Sequence, residues 1–261
     1  MKKFFIPILI GAMALAATAQ AKIVTKAVGY EQAGVKLEGW LAYDDSVTGK
    51  RPGILVVPEW WGLNDFAKGK AEALAKLGYV AFATDMYGKG VVTEDPKKAG
   101  ELAGQFYGKP LMADRARAGL DQLLATGLVA NGKVAAIGFC FGGATCQALA
   151  YSGAPLAGIV SFHGSLIPAP AGAGHNAKIL MLHGAADTFI SAEQISAFEK
   201  SMKDGGFDMQ WISYPGAVHA FTNPDATRMG VEHKMNIAYN EPAATASWAK
   251  MQEFFRGLFG K

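Results

Sequence analysis

The rhythm of apolar and polar positions changes after Lys50. Two segments before it, Thr25–Tyr30 and Val35–Tyr43, alternate in part between the two classes. That pattern predicts antiparallel strands at a sheet edge, with one face in solvent. Beyond it the apolar residues come in short continuous blocks: Gly53–Val57, Tyr79–Ala83, Val134–Ile137, Ala157–Phe162, Lys178–Leu182 and Met209–Tyr214. Blocks of this length suit strands buried on both faces. Helical spacing fills the intervals. Asp65 to Leu77 carries Phe66, Leu74 and Leu77 on one face, and Gly78 closes it. Further helices are predicted over Asp95–Tyr107, Met112–Ala125, Ala144–Tyr151, Ala192–Met202 and Pro242–Leu258. Apolar strands alternating with helices imply an α/β fold, a mainly parallel sheet with helices on both faces. Sites in such sheets lie beyond the carboxyl ends of the strands.

One such end carries Gly138-Phe139-Cys140-Phe141-Gly142, between the block Val134–Ile137 and a helix. A G-x-nucleophile-x-G turn from strand to helix is the nucleophile elbow of the α/β-hydrolase fold. Here the central residue is Cys140. An unperturbed thiol is only a few per cent thiolate at neutral pH, so it needs a positioned base. In this fold the acid and then the His follow the nucleophile along the chain. Asp187 lies in the loop after Lys178–Leu182, and His219 follows the last strand, so Cys140, Asp187 and His219 occur in that order. The His would take the thiol proton and the Asp would hold its tautomer. His163 and His183 compete for the base role, although each directly precedes a Gly at a strand end, which marks turns lining the site. His175 and His233 have no strand-end context and read as surface residues. An oxyanion hole would use the backbone N–H of Phe141 and, from the loop after Ile54–Val57, that of Trp60.

The N-terminus adds a compartment. Lys2 and Lys3, the apolar stretch Phe4–Ala17 and Ala19-Gln20-Ala21 form a secretory signal pattern over residues 1–21, with cleavage leaving Lys22 first. The apolar stretch is shorter than the ~20 residues that a membrane span requires. A retained anchor is the alternative; after cleavage no stable membrane span is expected. The remaining residues, 22–261, suit one domain, periplasmic or secreted. With the two lysines gone the formal charge falls from +3 to +1, and no basic patch stands out, so no nucleic acid partner is expected. The two cysteines, Cys140 and Cys146, would sit on the elbow and its helix. Six residues at ~1.5 Å rise separate them by ~9 Å, beyond the ~7 Å that a disulfide spans. A free thiol in an oxidising compartment points to a reactive role for Cys140. No clustered His, Cys and carboxylate set indicates a metal, and no cofactor is implied.

Together the loop Glu59-Trp60-Trp61-Gly62-Leu63-Asn64, the strand end Asp85-Met86-Tyr87, the elbow Gly138–Gly143, His183-Gly184 with Asp187, and His219-Ala-Phe-Thr-Asn-Pro224 resemble the dienelactone hydrolase family over most of the mature chain. The resemblance implies a cysteine nucleophile that forms an acyl-enzyme from an ester or lactone. It implies that Glu59 contacts the Cys–His pair at rest and helps take the thiol proton when substrate binds. A carboxylate beside a thiol also disfavours a second negative charge. It places Trp61, Tyr87, Lys89, Phe221 and Asn223 around the substrate pocket. Two arginines grip the substrate carboxylate in members that act on dienelactone; Lys89 and Asn223 stand at those positions here. Lys lacks the bidentate fork and Asn lacks the charge, so dienelactone specificity does not carry over. Trp60, Trp61, Phe139, Phe141 and Phe221 gather near the site in sequence, and if two of them line the pocket it favours apolar or aromatic acyl groups. The expectation is an exported hydrolase of small esters, lactones or thioesters. The alternative is a thiol-based redox or sensing protein on the same scaffold.

Overall fold

Ala33 and Gly34 turn the chain back on itself between β1 (Ile23–Gln32) and β2 (Val35–Asp44). Both have positive φ, 50° and 77°, as a two-residue hairpin matching the strand twist requires. The computed structural model describes residues 22–171 and 177–260; the signal segment read at 1–21, and His175, lie outside them. The hairpin is joined to β3 (Arg51–Val57), β4 (Val80–Ala83), β5 (Val129–Phe139), β6 (Gly158–Phe162), β7 (Lys178–Gly184) and β8 (Met209–Tyr214). The eight strands run in the order β1-β2-β4-β3-β5-β6-β7-β8. β1 and β2 pair antiparallel, as does β2 with β4; every pairing from β4 to β8 is parallel.

The burial follows the blocks. All seven residues of β3 and all five of β6 are buried, whereas β1 is half-exposed throughout. Helices α1 (Asp65–Lys76) and α7 (Glu241–Phe259) cover one face, packing Leu74, Met251 and Phe255 against Ile54, Ile137 and Leu180. On the other face lie α3 (Leu111–Ala125), α4 (Phe141–Tyr151) and α5 (Ala192–Asp204). They pack Leu120, Leu149 and Phe198 against Leu55, Ala136 and Ile179. Two further helices stand over the carboxyl ends of the strands. These are α2 (Pro96–Ala103), which is shorter than the predicted Asp95–Tyr107 because the chain turns at Gly104, and α6 (Ala226–His233). They enclose Trp61 with Ala99, Met229 and Ile237 in a small cluster of their own. Among the described residues no helix is long and apolar enough to cross a membrane.

Candidate active site

Five strand ends converge on the site. β5 ends at Phe139 and α4 begins at Phe141, which leaves Cys140 between them at φ 53° and ψ −116°. That conformation is costly for a residue with a Cβ and persists only where the surroundings impose it. The surroundings are tight. A Cβ on Gly138 would lie 2.0 Å from the carbonyl oxygen of Gly142, and one on Gly142 would lie 2.3 Å from that of Val57. Both positions therefore admit only glycine. The Cys140 N–H donates to the Phe162 carbonyl at 3.0 Å, tying the elbow to β6. Cys140 is also the N-cap of α4, so it sits at the positive end of the helix, which favours negative charge nearby. Both Cys140 and Cys146 are free thiols; Cys146 is fully buried, and burial pushes its thiol well up.

The loops after β7 and β8 bring Asp187 and His219 together. His219 Nδ1 and Asp187 Oδ2 are 2.8 Å apart, both buried. The other carboxylate oxygen of Asp187 accepts the Phe189 N–H at 2.8 Å, so the acid also closes its own turn. Burial works to strip the proton from His219. The charge of Cys140, hydrogen bonds to Asp187 and Cys140, and the charge of Asp187 outweigh it and push the imidazole up to about 10. His163 packs edge-on against His219, with ring centres 5.2 Å apart. It is fully buried, with Nε2 2.8 Å from Thr222 Oγ1; burial and the neighbouring His219 hold its pKa well below the ordinary value. His183 is buried beside the Trp211 ring, 5.1 Å away, and burial lowers its pKa too. Of the three, only His219 is held by Asp187 and lines the same cavity as Cys140. His233, read as a surface residue, is half-buried on α6.

Glu59 is buried in the loop after β3 and lines the same cavity as Cys140 and His219. Its hydrogen bond goes elsewhere than expected. Asn223 Nδ2 donates to Glu59 Oε2 at 2.6 Å, and Glu59 Oε1 is buried with no partner among the described residues. Burial raises the carboxyl to about 7, against the opposing pull of Asn223, His219 and Lys70. Lys70 supplies that pull from a nest of three rings, with Nζ 4.9 Å, 5.7 Å and 5.1 Å from the centres of Phe66, Phe139 and Trp248.

Four of the residues expected around the substrate lie outside the cavity wall. Asn223 is buried behind Glu59 and spends its amide on that carboxylate. Lys89 is exposed at the sheet edge, where its ammonium pairs with Glu38 at 2.7 Å. Phe221 is fully buried between His163 and Tyr214. Tyr87 stands behind the wall, its ring against Phe141 and its hydroxyl donating to the Trp60 carbonyl at 3.0 Å. Phe139, likewise, stacks on Phe162 within the core. Trp60, Trp61 and Phe141 do line the cavity. So do residues that sequence reasoning did not single out: Phe189, Tyr107, Ser165, Met235 and Ile237. Of these only Phe189, two residues after Asp187, sits beside a recognised motif; its ring meets His219 edge-on at 5.0 Å.

The cavity encloses about 420 Å³ and opens at the sheet's rim. Phe141 occupies the first position of α4, so its N–H has no intrahelical acceptor. The Trp60 N–H makes no backbone hydrogen bond among the described residues. Tyr87 fixes the following peptide through the Trp60 carbonyl. Two unused donors beside a cysteine at a strained turn, with a buried His–Asp pair behind it, is an arrangement suited to acyl transfer.

Sheet order, elbow and strand-end loops are those of the α/β-hydrolases. Within that class the chain belongs to the dienelactone hydrolase family, whose model matches residues 37–259. It is a hydrolase of that type. A Yersinia pestis protein named "Putative carboxymethylenebutenolidase" is 28% identical over 236 residues, covering 85% of this chain and 84% of its own. A protein of the same name from Aquifex aeolicus is 28% identical over 246 residues, covering 88% of this chain and 96% of its own. Among solved structures, a dienelactone hydrolase-like promiscuous phosphotriesterase from metagenomic libraries superposes with a TM-score of 0.86. It is 39% identical and covers 91% of this chain and 99% of its own.

Proposed function

We propose that this protein is an exported hydrolase that cleaves small uncharged esters, lactones or thioesters through Cys140, His219 and Asp187. The observation that carries the reading is the 2.8 Å bond between the His219 imidazole and Asp187, in a cavity that Cys140 and His219 line together. The thiol proton rests on His219, whose imidazole Cys140 and Asp187 hold protonated, as the sulfur attacks the carbonyl carbon. The carbonyl π pair moves onto oxygen, and the N–H groups of Trp60 and Phe141 hold that oxyanion. Collapse expels the alkoxide, which takes the proton from His219 and leaves an S-acyl cysteine. Water, deprotonated by His219, then releases the acid and restores the thiol. Glu59 modulates the charge at the site through its bond to Asn223.

The substrate is uncharged on this reading. Lys89 is committed to Glu38 and Asn223 to Glu59, and no Lys or Arg lines the cavity among the described residues. An anion would meet the Glu59 carboxyl without a counter-charge. The redox alternative is not favoured, because an oxidisable thiol has no need of an oriented His–Asp pair or of unused N–H donors. The promiscuous phosphotriesterase relative supports a second reading, attack on an uncharged phosphotriester by the same sulfur. Export rests on the pattern at residues 1–21. Cleavage after Ala21 would leave the sheet intact, since β1 begins at Ile23.

The test is turnover of a panel of 4-nitrophenyl esters, an aryl phosphotriester and a dianionic lactone by the purified protein and by Cys140→Ala. Hydrolysis of the neutral compounds that is lost in the variant is the expected outcome. Wild-type rates in Cys140→Ala, or a strong preference for the dianion, would overturn the reading.

A further inference from the structure

Most of the cavity wall is apolar. Apart from Cys140, His219 and Glu59, two polar side chains line it among the described residues, Tyr107 and Ser165. They come from separate segments, 58 residues apart: Tyr107 from the turns after α2, Ser165 from the loop after β6. Tyr107 donates its hydroxyl to Ser165 Oγ at 3.3 Å. Hydroxyl pairs ordinarily sit at ~2.7–2.8 Å, so this bond is a loose one. The Ser165 proton has no protein acceptor among the described residues, and neither do the lone pairs of the Tyr107 oxygen have a donor. The pair therefore offers one donor and one acceptor to whatever enters the cavity.

Both residues are fixed relative to the nucleophile. Gln147, fully buried on α4, donates to the carbonyls of Ser165 at 2.9 Å and Gly143 at 3.1 Å, and accepts the Ile167 N–H at 2.9 Å. One buried amide thus locks the Ser165 loop to the helix that Cys140 caps. Tyr107 rests edge-on against Phe141, the residue after Cys140, with ring centres 5.8 Å apart. Burial and the nearby Cys140 charge push its phenol up to about 12, so it remains a donor across the working pH range. Tyr107 is 40% exposed, which puts the pair at the rim, where an arm of the substrate would pass outward.

The geometry points to Tyr107 and Ser165 as a neutral hydrogen-bonding subsite that selects acyl groups bearing an ether, hydroxyl or carbonyl oxygen beyond the scissile carbonyl. This specificity rests on the ester-hydrolase reading of Cys140. The wall around the pair is uncharged, so it recognises a neutral oxygen and not a carboxylate. A purely alkyl chain reaching the pair leaves a hydroxyl desolvated without a partner, and a site of that kind discriminates against the analogue that lacks the oxygen.

Two isosteric substrates test it: 4-nitrophenyl 3-methoxypropanoate and 4-nitrophenyl pentanoate, which differ by an oxygen in place of a methylene. The readout is the ratio of their kcat/KM values in the wild type, Tyr107→Phe, Ser165→Ala and the double variant. The methoxy ester should lose about 5- to 10-fold more than the alkyl ester in Ser165→Ala and in the double variant, the worth of the hydrogen bond from Ser165, and a smaller part of that in Tyr107→Phe, which leaves the Ser165 proton in place. The double variant should lose little beyond Ser165→Ala, because Tyr107 acts on the substrate through Ser165. Equal losses on both esters would reveal a structural clasp and overturn the proposal, as would an unchanged ratio. Failure of the underlying reading is separable: it would appear as retained turnover in Cys140→Ala, whichever way the ratio moves.

Discussion

Glu59→Gln isolates the energetic cost of a carboxyl group buried in the wall of the cavity that Cys140 lines. Glu59 is 2% exposed, and its pKa rises from the ordinary 4.5 to about 7 because burial disfavours the charge. The sign follows from linkage. Below pH 4.5 the group is protonated in both the folded and the unfolded chain and contributes nothing to the pH dependence. Between pH 4.5 and about 7 the unfolded chain releases the proton while the folded protein keeps it, so stability falls as pH rises. Above about pH 7 the penalty is complete. At ~1.4 kcal/mol for each tenfold change in proton affinity, the full penalty is about 3 kcal/mol. Glutamine keeps an oxygen for the Asn223 amide and has no charge to bury. Urea unfolding of both proteins at intervals from about pH 4.5 to 8.5 measures the effect. The stability of Glu59→Gln relative to the wild type should climb by about 3 kcal/mol across that range and level off above about pH 7–8. Other groups cancel in the difference. A difference that stays flat would mean that Glu59 ionises normally in the folded state, and the argument from burial would fail.

Asp187→Asn should lower kcat by about 10³- to 10⁴-fold, because the amide favours the wrong imidazole tautomer. Asparagine can still accept the Phe189 N–H, so the melting temperature should move little; a kcat within tenfold of wild type would place the orienting acid elsewhere. Gly142→Ala should inactivate the protein and lower its stability, since the new methyl would lie 2.3 Å from the Val57 carbonyl oxygen and 2.6 Å from that of Pro58. A variant with wild-type kcat and melting temperature would show that the elbow has more room than its geometry implies. Gly69→Ala makes the opposite case. Gly69 is exposed inside α1, and a methyl group added there would meet no neighbouring atom within 4 Å, so alanine should stabilise by about 1 kcal/mol in urea melts. A loss of stability would contradict it.

Much of the scaffold was legible because parallel strands buried on both faces leave continuous apolar blocks. Every block read from the chain lies within a strand or overruns its start by one residue, although β5 begins five residues before its block, and the hairpin was recognisable from its partial alternation. Helix α6 was not legible. It buries only Ala226, Met229 and Gly230, its Asp225 N-cap makes no side-chain bond, and a central glycine weakens its pattern. That glycine is there for packing: a Cβ on Gly230 would lie 2.2 Å from the Ile237 carbonyl oxygen. The elbow and the order of Cys140, Asp187 and His219 could be read because each follows a strand, and strand ends meet at one edge of the sheet. Pairings across the fold leave no such signal. The Asn223–Glu59 bond joins residues 164 apart, and nothing local tells an amide that lines a pocket from one that holds a carboxylate. Tyr87 shows the same limit, since its hydroxyl anchors the Trp60 peptide from 27 residues away. Tyr107 and Ser165 carried no motif; only folding makes them neighbours.

Intact-mass spectrometry of the protein quenched in acid during turnover of a slow 4-nitrophenyl ester tests the central claim most directly. The account predicts a mass increase equal to one acyl group, mapped by peptide digestion to the segment bearing Cys140 and absent from Cys140→Ala. An acyl group on any other residue, or undiminished hydrolysis by the alanine variant, would contradict it.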